Sequence, residues 1–89
     1  LPYHDLAAVS YYNLGNAYGY LGDTDMIIES YARAYYIWNL EGYKDSNQKI
    51  EEALRKIYTK QVNNSDDYEG WFQKQIFQAK DDLRKLWGE

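Results

Sequence analysis

Few residues in this chain have the type and spacing that chemistry requires. The single histidine, His4, stands beside Asp5, a pairing that can act as a base when a Ser or Cys nucleophile accompanies it. No such context is present, so a surface histidine is the plainer reading. Acid pairs occur at Glu51-Glu52, Asp66-Asp67 and Asp81-Asp82. Neighbours on a helix point about 100° apart, which keeps such pairs from sharing a proton or a metal. Asp23-Thr24-Asp25 opens like a calcium loop, but the glycine and closing Glu of that loop do not follow. Gly15, Gly19 and Gly22 imitate a phosphate cradle without the preceding strand or the Lys-Ser/Thr ending. The chain has no cysteine, hence no thiol nucleophile, disulfide or thiolate metal site. The expectation is a non-enzyme with no catalytic residues, no metal and no cofactor.

Composition narrows the class further. Eighty-nine residues allow one domain, 1–89, and 45% apolar content with a single Pro predicts a folded chain. Eleven of the sixteen aromatic residues are Tyr, which can bury a ring while keeping its hydroxyl near water. Net charge is −4, and residues 1–41 carry all of it: Asp5, Asp23, Asp25, Glu29 and Glu41 stand against Arg33 alone. Arg55-Lys56 and Arg84-Lys85 are interleaved with acids. This balance argues against nucleic acid or an anionic membrane and towards a neutral or basic protein or peptide partner. No apolar run approaches the ~20 residues that span a bilayer. No basic-plus-apolar signal segment opens the chain, and its start at Leu1 is read as a trimmed beginning. Absent cysteine fits a reducing or an oxidising compartment equally.

The elements that would position a functional surface are helices. Tyr11, Leu14, Ala17-Tyr18 and Leu21 recur at helical spacing, as do Ile27-Ile28, Tyr31, Ala34-Tyr35 and Trp38. The first set predicts a helix over about 3–21 that buries Leu14, Tyr18 and Leu21. The second predicts a helix over about 24–40, with Gly22 ending the one and Asp23 or Thr24 capping the other. Gly15, Ala17, Ala32 and Ala34 would let the two helices approach closely, and Gly19 is assigned the same packing role. The second helix is apolar on most sides, so neighbours on several sides are expected. Asp45 to Gln48 has capping-box spacing and predicts a third helix to about Gln61, broken by Val62-Asn63-Asn64-Ser65. Ser65, Asp66 and Asp67 open a fourth, whose stripe is Phe72, Ile76, Ala79, Leu83 and Leu86-Trp87, with Gly88 as its stop. Trp71 and Phe77 lie off that stripe, so at least one of them should sit on a second, partly exposed face.

The string Tyr12-Asn13-Leu14-Gly15-Asn16-Ala17-Tyr18, then Gly22-Asp23, Asp25, Tyr31 and Ala34, resembles the tetratricopeptide repeat (TPR) family. That family repeats a helix-turn-helix unit of about 34 residues. The resemblance covers residues 8–41, with Tyr11 where the family has Trp, Ile27 for a small Ala and Asn39 for the closing Pro. Residues 43–89 match loosely, Leu54 and Tyr58 answering Leu14 and Tyr18, and Phe72, Ile76 and Ala79 answering Ile27, Tyr31 and Ala34. They form a degenerate second repeat or a capping helical hairpin. The resemblance implies an all-α fold of two antiparallel helical hairpins stacked as a short solenoid. It implies a protein-interaction module whose concave face, here Val9, Tyr12, Asn16, Gly19 and Tyr20, holds a peptide or helix. Tyr12 stands where the carboxylate-gripping members of the family have Lys, so that activity is not carried over. Because repeat stacks need about three units or caps, a second expectation is a homo-oligomer. There Tyr35, Tyr36, Trp38, Trp71 and Trp87 would be exposed and bury against another copy. A fragment of a longer array and an engineered short module are further readings of the same shortage.

Overall fold

The computed structural model describes residues 5–62 and 67–88, and these form an all-α fold. Helix α1 (Asp5–Leu21) and α2 (Thr24–Glu41) are followed by α3 (Lys44–Ile57), which runs into a π-helical turn (Tyr58–Val62), and by α4 (Tyr68–Leu86). The expected His4 and the Asn63-Asn64-Ser65-Asp66 stretch lie outside the described residues.

Local chemistry sets the boundaries. Gly22 and Gly42 turn the chain at φ +74° and +82°, a left-handed conformation that side chains disfavour, and Gly88 does the same after α4. Asp23 caps α2 by accepting the Met26 amide at 3.2 Å, and Asp67 caps α4 by accepting that of Gly70 at 2.8 Å. Asp67→Ala should cost about 1 kcal/mol of stability while Asp67→Asn keeps most of it; the shift in urea midpoint measures this. The expected capping box does not form. Helix α3 begins at Lys44 behind Tyr43, which makes no side-chain cap bond, and Asp45 lies in the first turn. The first helical bond runs instead from the Asn47 amide to the Tyr43 carbonyl at 3.3 Å, directly after the Gly42 turn, so the helix is already under way at Asp45. There Asp45 still favours the positive helix end.

Helix α2 is the hub: it packs against α1, α3 and α4, as its broad apolar surface requires. Ala34 and Ile37 are fully buried and Tyr31 and Trp38 nearly so, clustered with Ala8, Ile50, Leu54, Phe72 and Leu83. Tyr35 meets Phe72 and Arg33 meets Asp82, so α4 runs antiparallel to α2. Arg33 bridges Glu29 at 3.2 Å and Asp82 at 3.4 Å, tying the two helices where its guanidinium also covers Tyr11.

Helix α1 is rotated from its expected setting. Ala8 and Gly15 are its buried positions, whereas Leu14, Ala17 and Leu21 are exposed and Tyr18 is half-buried. A Cβ placed on Gly15 would run into the Tyr31 ring. That missing side chain lets α1 close on Tyr31, and the closest approach decides which face turns inward. Gly19 has no heavy atom near its missing Cβ, so it has no packing role.

Candidate functional site

The five residues expected on the concave face fall into two groups. Val9, Gly19 and Tyr20 are exposed, Tyr20 at 94%. Tyr12 and Asn16 are half-buried because α2 has engaged them. The Tyr31 hydroxyl donates to Asn16 Oδ1. Tyr12 stacks on Tyr31 with centroids 5.6 Å apart and tilts against Trp38 at the same distance. Two clefts result. One, about 350 Å³, is bounded by Asn16, Gly19, Tyr20 and Tyr31. The other, about 160 Å³, lies between Tyr12, Trp38 and the start of α3 at Asp45, Ser46 and Lys49. Tyr12 lines the second and stacks on Tyr31 of the first, so the two clefts are neighbours with aromatic walls, and the second carries one acid, Asp45, and one base, Lys49. The contribution of Asp45, Ser46 and Lys49 was not legible in the sequence, where these residues read only as a helix start.

Of the five aromatic residues expected to be exposed for self-association, Trp38 is buried and Tyr35, Tyr36, Trp71 and Trp87 are half-buried. Trp38 belongs to the core. Trp71 rests on Tyr58 at 5.1 Å and Tyr68 at 6.0 Å, and Trp87 is half-buried against the core. Tyr35 is half-buried, edge-on to Phe72 at 5.0 Å, and donates to Glu51 Oε1 at 3.5 Å. Tyr36 is half-buried and borders a groove on α4. The exposed large apolar side chains are Leu6, Val9, Leu14, Tyr20 and Leu21 on α1, Leu40 and Tyr43 around the end of α2, and Phe77 and Leu86 on α4. Phe77 does lie off the α4 stripe, as expected.

Three phenols resist ionisation. Burial raises Tyr31, with the neighbouring Tyr12 adding to it. Burial also raises Tyr35, and the Glu51 carboxylate beside it adds to the effect. Burial pushes Tyr68 up to about 12 even though the Arg55 guanidinium, 4.2 Å above its ring, pulls the other way. Its hydroxyl donates to the Glu51 carbonyl at 3.4 Å. An unfolded tyrosine ionises near 10, so between that pH and about 12 the unfolded chain releases protons that the folded one keeps. Stability should therefore hold up to about pH 10 and fall from there. Urea melts across this range, with the phenolate absorbance followed in parallel, test the expectation; a midpoint that stays level to pH 12 would refute it.

Among the described residues no three His, Cys, Asp or Glu side chains group to hold a metal ion. No helix among them is long and apolar enough to cross a membrane. Comparison with protein families, curated proteins and solved structures finds no match to this chain.

Proposed function

We propose that this domain is a non-catalytic protein-interaction module that holds a peptide or helix of neutral or basic charge along α1. The reading that residues 8–41 are a tetratricopeptide-like unit, with the remainder as a second or capping pair in a short solenoid, is part of this proposal. It is supported by the seating of Tyr31 against Gly15, two positions of the resemblance.

The carrying observation is Tyr20. A tyrosine 94% exposed contributes nothing to the core, yet it borders a cleft whose opposite wall is formed by Tyr31 and Asn16, hydrogen-bonded to each other. A rigid aromatic with few rotamers is an efficient contact residue, because little side-chain freedom is lost on binding. Charge selects the partner: residues 5–32 hold Asp5, Asp23, Asp25 and Glu29 and no Lys or Arg.

Selection from a random peptide library tests the proposal. Enriched peptides should be neutral or basic and should lose about tenfold or more in affinity to Tyr20→Ala, the loss expected for one buried aromatic contact. Peptides that bind the Tyr20→Ala variant as well as the parent would refute the site.

A further inference from the structure

Acids outnumber bases in this chain by 14 to 10, yet the charged walls of one groove are both basic. Where α4 borders Tyr36 of α2, the residues Lys74, Ile76, Phe77 and Lys80 line an open groove of about 450 Å³. Ile76 and Tyr36 are half-buried, and Phe77 is 71% exposed. Among the described residues no Asp or Glu lines it. The groove is separate from the clefts on α1, because Tyr36 lies about 140° around α2 from Tyr31, the residue that receives α1.

The sequence keeps acids away from both lysines. No Asp or Glu stands three or four residues from Lys74 or from Lys80, so neither has an ion-pair partner one turn away on its own helix. Among the described residues neither makes an ion pair at all. Arg33 and Lys85 differ: Arg33 is paired with Glu29 and Asp82, and Lys85 with Asp81 at 3.1 Å. That last pair engages the one acid on α4 that lies a turn from Phe77. Each lysine stands three residues from Phe77, which sets the two about 60° to either side of it and about 9 Å apart along the axis. A single exposed lysine is ordinary surface. Two that flank one exposed ring, with no acid lining the groove, present a fixed pattern of cation, apolar centre and cation.

We infer that this groove is a second recognition surface, for an acidic helix that seats one apolar side chain against Phe77, Tyr36 and Ile76 and sets one carboxylate on Lys74 and another on Lys80. Charge complementarity selects this partner. A helix with Glu three residues before and three after an apolar residue carries the matching spacing, since its carboxylates are also about 9 Å apart along the axis. The groove is open to solvent, which suits a helix face and would leave an alkyl chain exposed. Its partner has the opposite charge from that of the α1 clefts, so the two surfaces sort partners by sign. Exposed ion pairs add little, and one apolar anchor places the affinity on the order of 10⁻⁴ M, weaker than a library selection retains.

Amide resonances of the isotope-labelled whole chain, titrated with three capped alanine-based helical peptides of about 20 residues, test this. One peptide carries Glu-x-x-Leu-x-x-Glu, one Lys-x-x-Leu-x-x-Lys and one Glu-x-x-Ser-x-x-Glu. The first should give saturable shifts centred on residues 73–80, and the other two should not. Its binding should weaken about tenfold in Phe77→Ala, about threefold or more in Lys74→Gln/Lys80→Gln, and with salt in the parent. Lys74→Glu/Lys80→Glu should exchange the preference and bind the basic peptide. All these positions are exposed, so the fold is kept. No saturable shift from the first peptide up to about 1 mM, equal binding of the basic peptide to the parent, or binding that survives Phe77→Ala overturns the inference. So do the same shifts in the chain alone as its concentration rises, which would mean that a second copy fills the groove. Tighter binding of dodecanoate would mean an alkyl-chain site and also overturns it. Tyr20→Ala should leave these titrations unchanged, so their failure is distinct from failure of the α1 site.

Discussion

Phe72→Ala should leave the domain close to its unfolding threshold. Phe72 is 2% exposed, edge-on to Tyr35 and 5.7 Å from the Tyr68 ring, in the cluster that joins α2, α3 and α4. Emptying a buried phenylalanine site costs about 3–5 kcal/mol, the lost transfer energy plus the cavity left behind. A chain of this size holds on the order of 5–10 kcal/mol in total, so one side chain accounts for a large share. The proper control is on the same helix. Phe77→Ala removes an identical side chain from an exposed position and should move stability by no more than about 0.5 kcal/mol. Urea unfolding of both variants checks the pair, and equal midpoints would contradict the packing of α4.

Gly15 should be the position of α1 least tolerant of any side chain. Ala would gain about 1 kcal/mol of helix propensity over Gly. Against this, its methyl would meet the Tyr31 ring, which Tyr12 backs by stacking and Asn16 fixes through its hydroxyl. Overpacking of this kind costs about 1–3 kcal/mol, so Gly15→Ala should be a net loss of about 1 kcal/mol. Gly15→Leu has no room at all and should separate α1 from α2, seen as a large loss of helicity and a midpoint near zero denaturant. Gly19 gives the opposite sign. With open space at its missing Cβ, Gly19→Ala should gain about 1 kcal/mol. Melting temperatures of the two alanine variants should therefore move in opposite directions.

These two glycines show where the sequence was informative and where it was not. Both sit in a helix at similar spacing, and only the packed structure tells which one meets a ring. Helix ends were legible, because Gly22, Gly42 and Gly88 can take a backbone conformation that other residues resist. The breadth of α2 was legible too, since a helix apolar on most sides must be surrounded. The rotation of α1 was not. Periodicity ranked the stripe of Tyr11, Leu14, Ala17-Tyr18 and Leu21 inward. The contact of Gly15 with Tyr31 turned the Ala8–Gly15 side in, left Tyr11 and Tyr18 half-buried and put Leu14 and Leu21 outside. The same rotation explains the mixed state of the candidate site: Val9, Gly19 and Tyr20 stay open, while Tyr12 and Asn16 are half claimed by Tyr31 and Trp38. The π-helical turn after α3 had no counterpart in the expected helix to Gln61. It brings Tyr58 onto Trp71 and Tyr68, aromatic contacts that no local pattern announces.

The most direct test of the interaction-module account is the set of backbone amide resonances that shift when a library-selected peptide is titrated into the isotope-labelled chain. The account predicts shifts along Val9, Asn16, Gly19 and Tyr20 and at Ser46 and Lys49 across the groove, with the amides around Phe77 unchanged. Shifts confined to α4, or spread through the core without a maximum on α1, would contradict it.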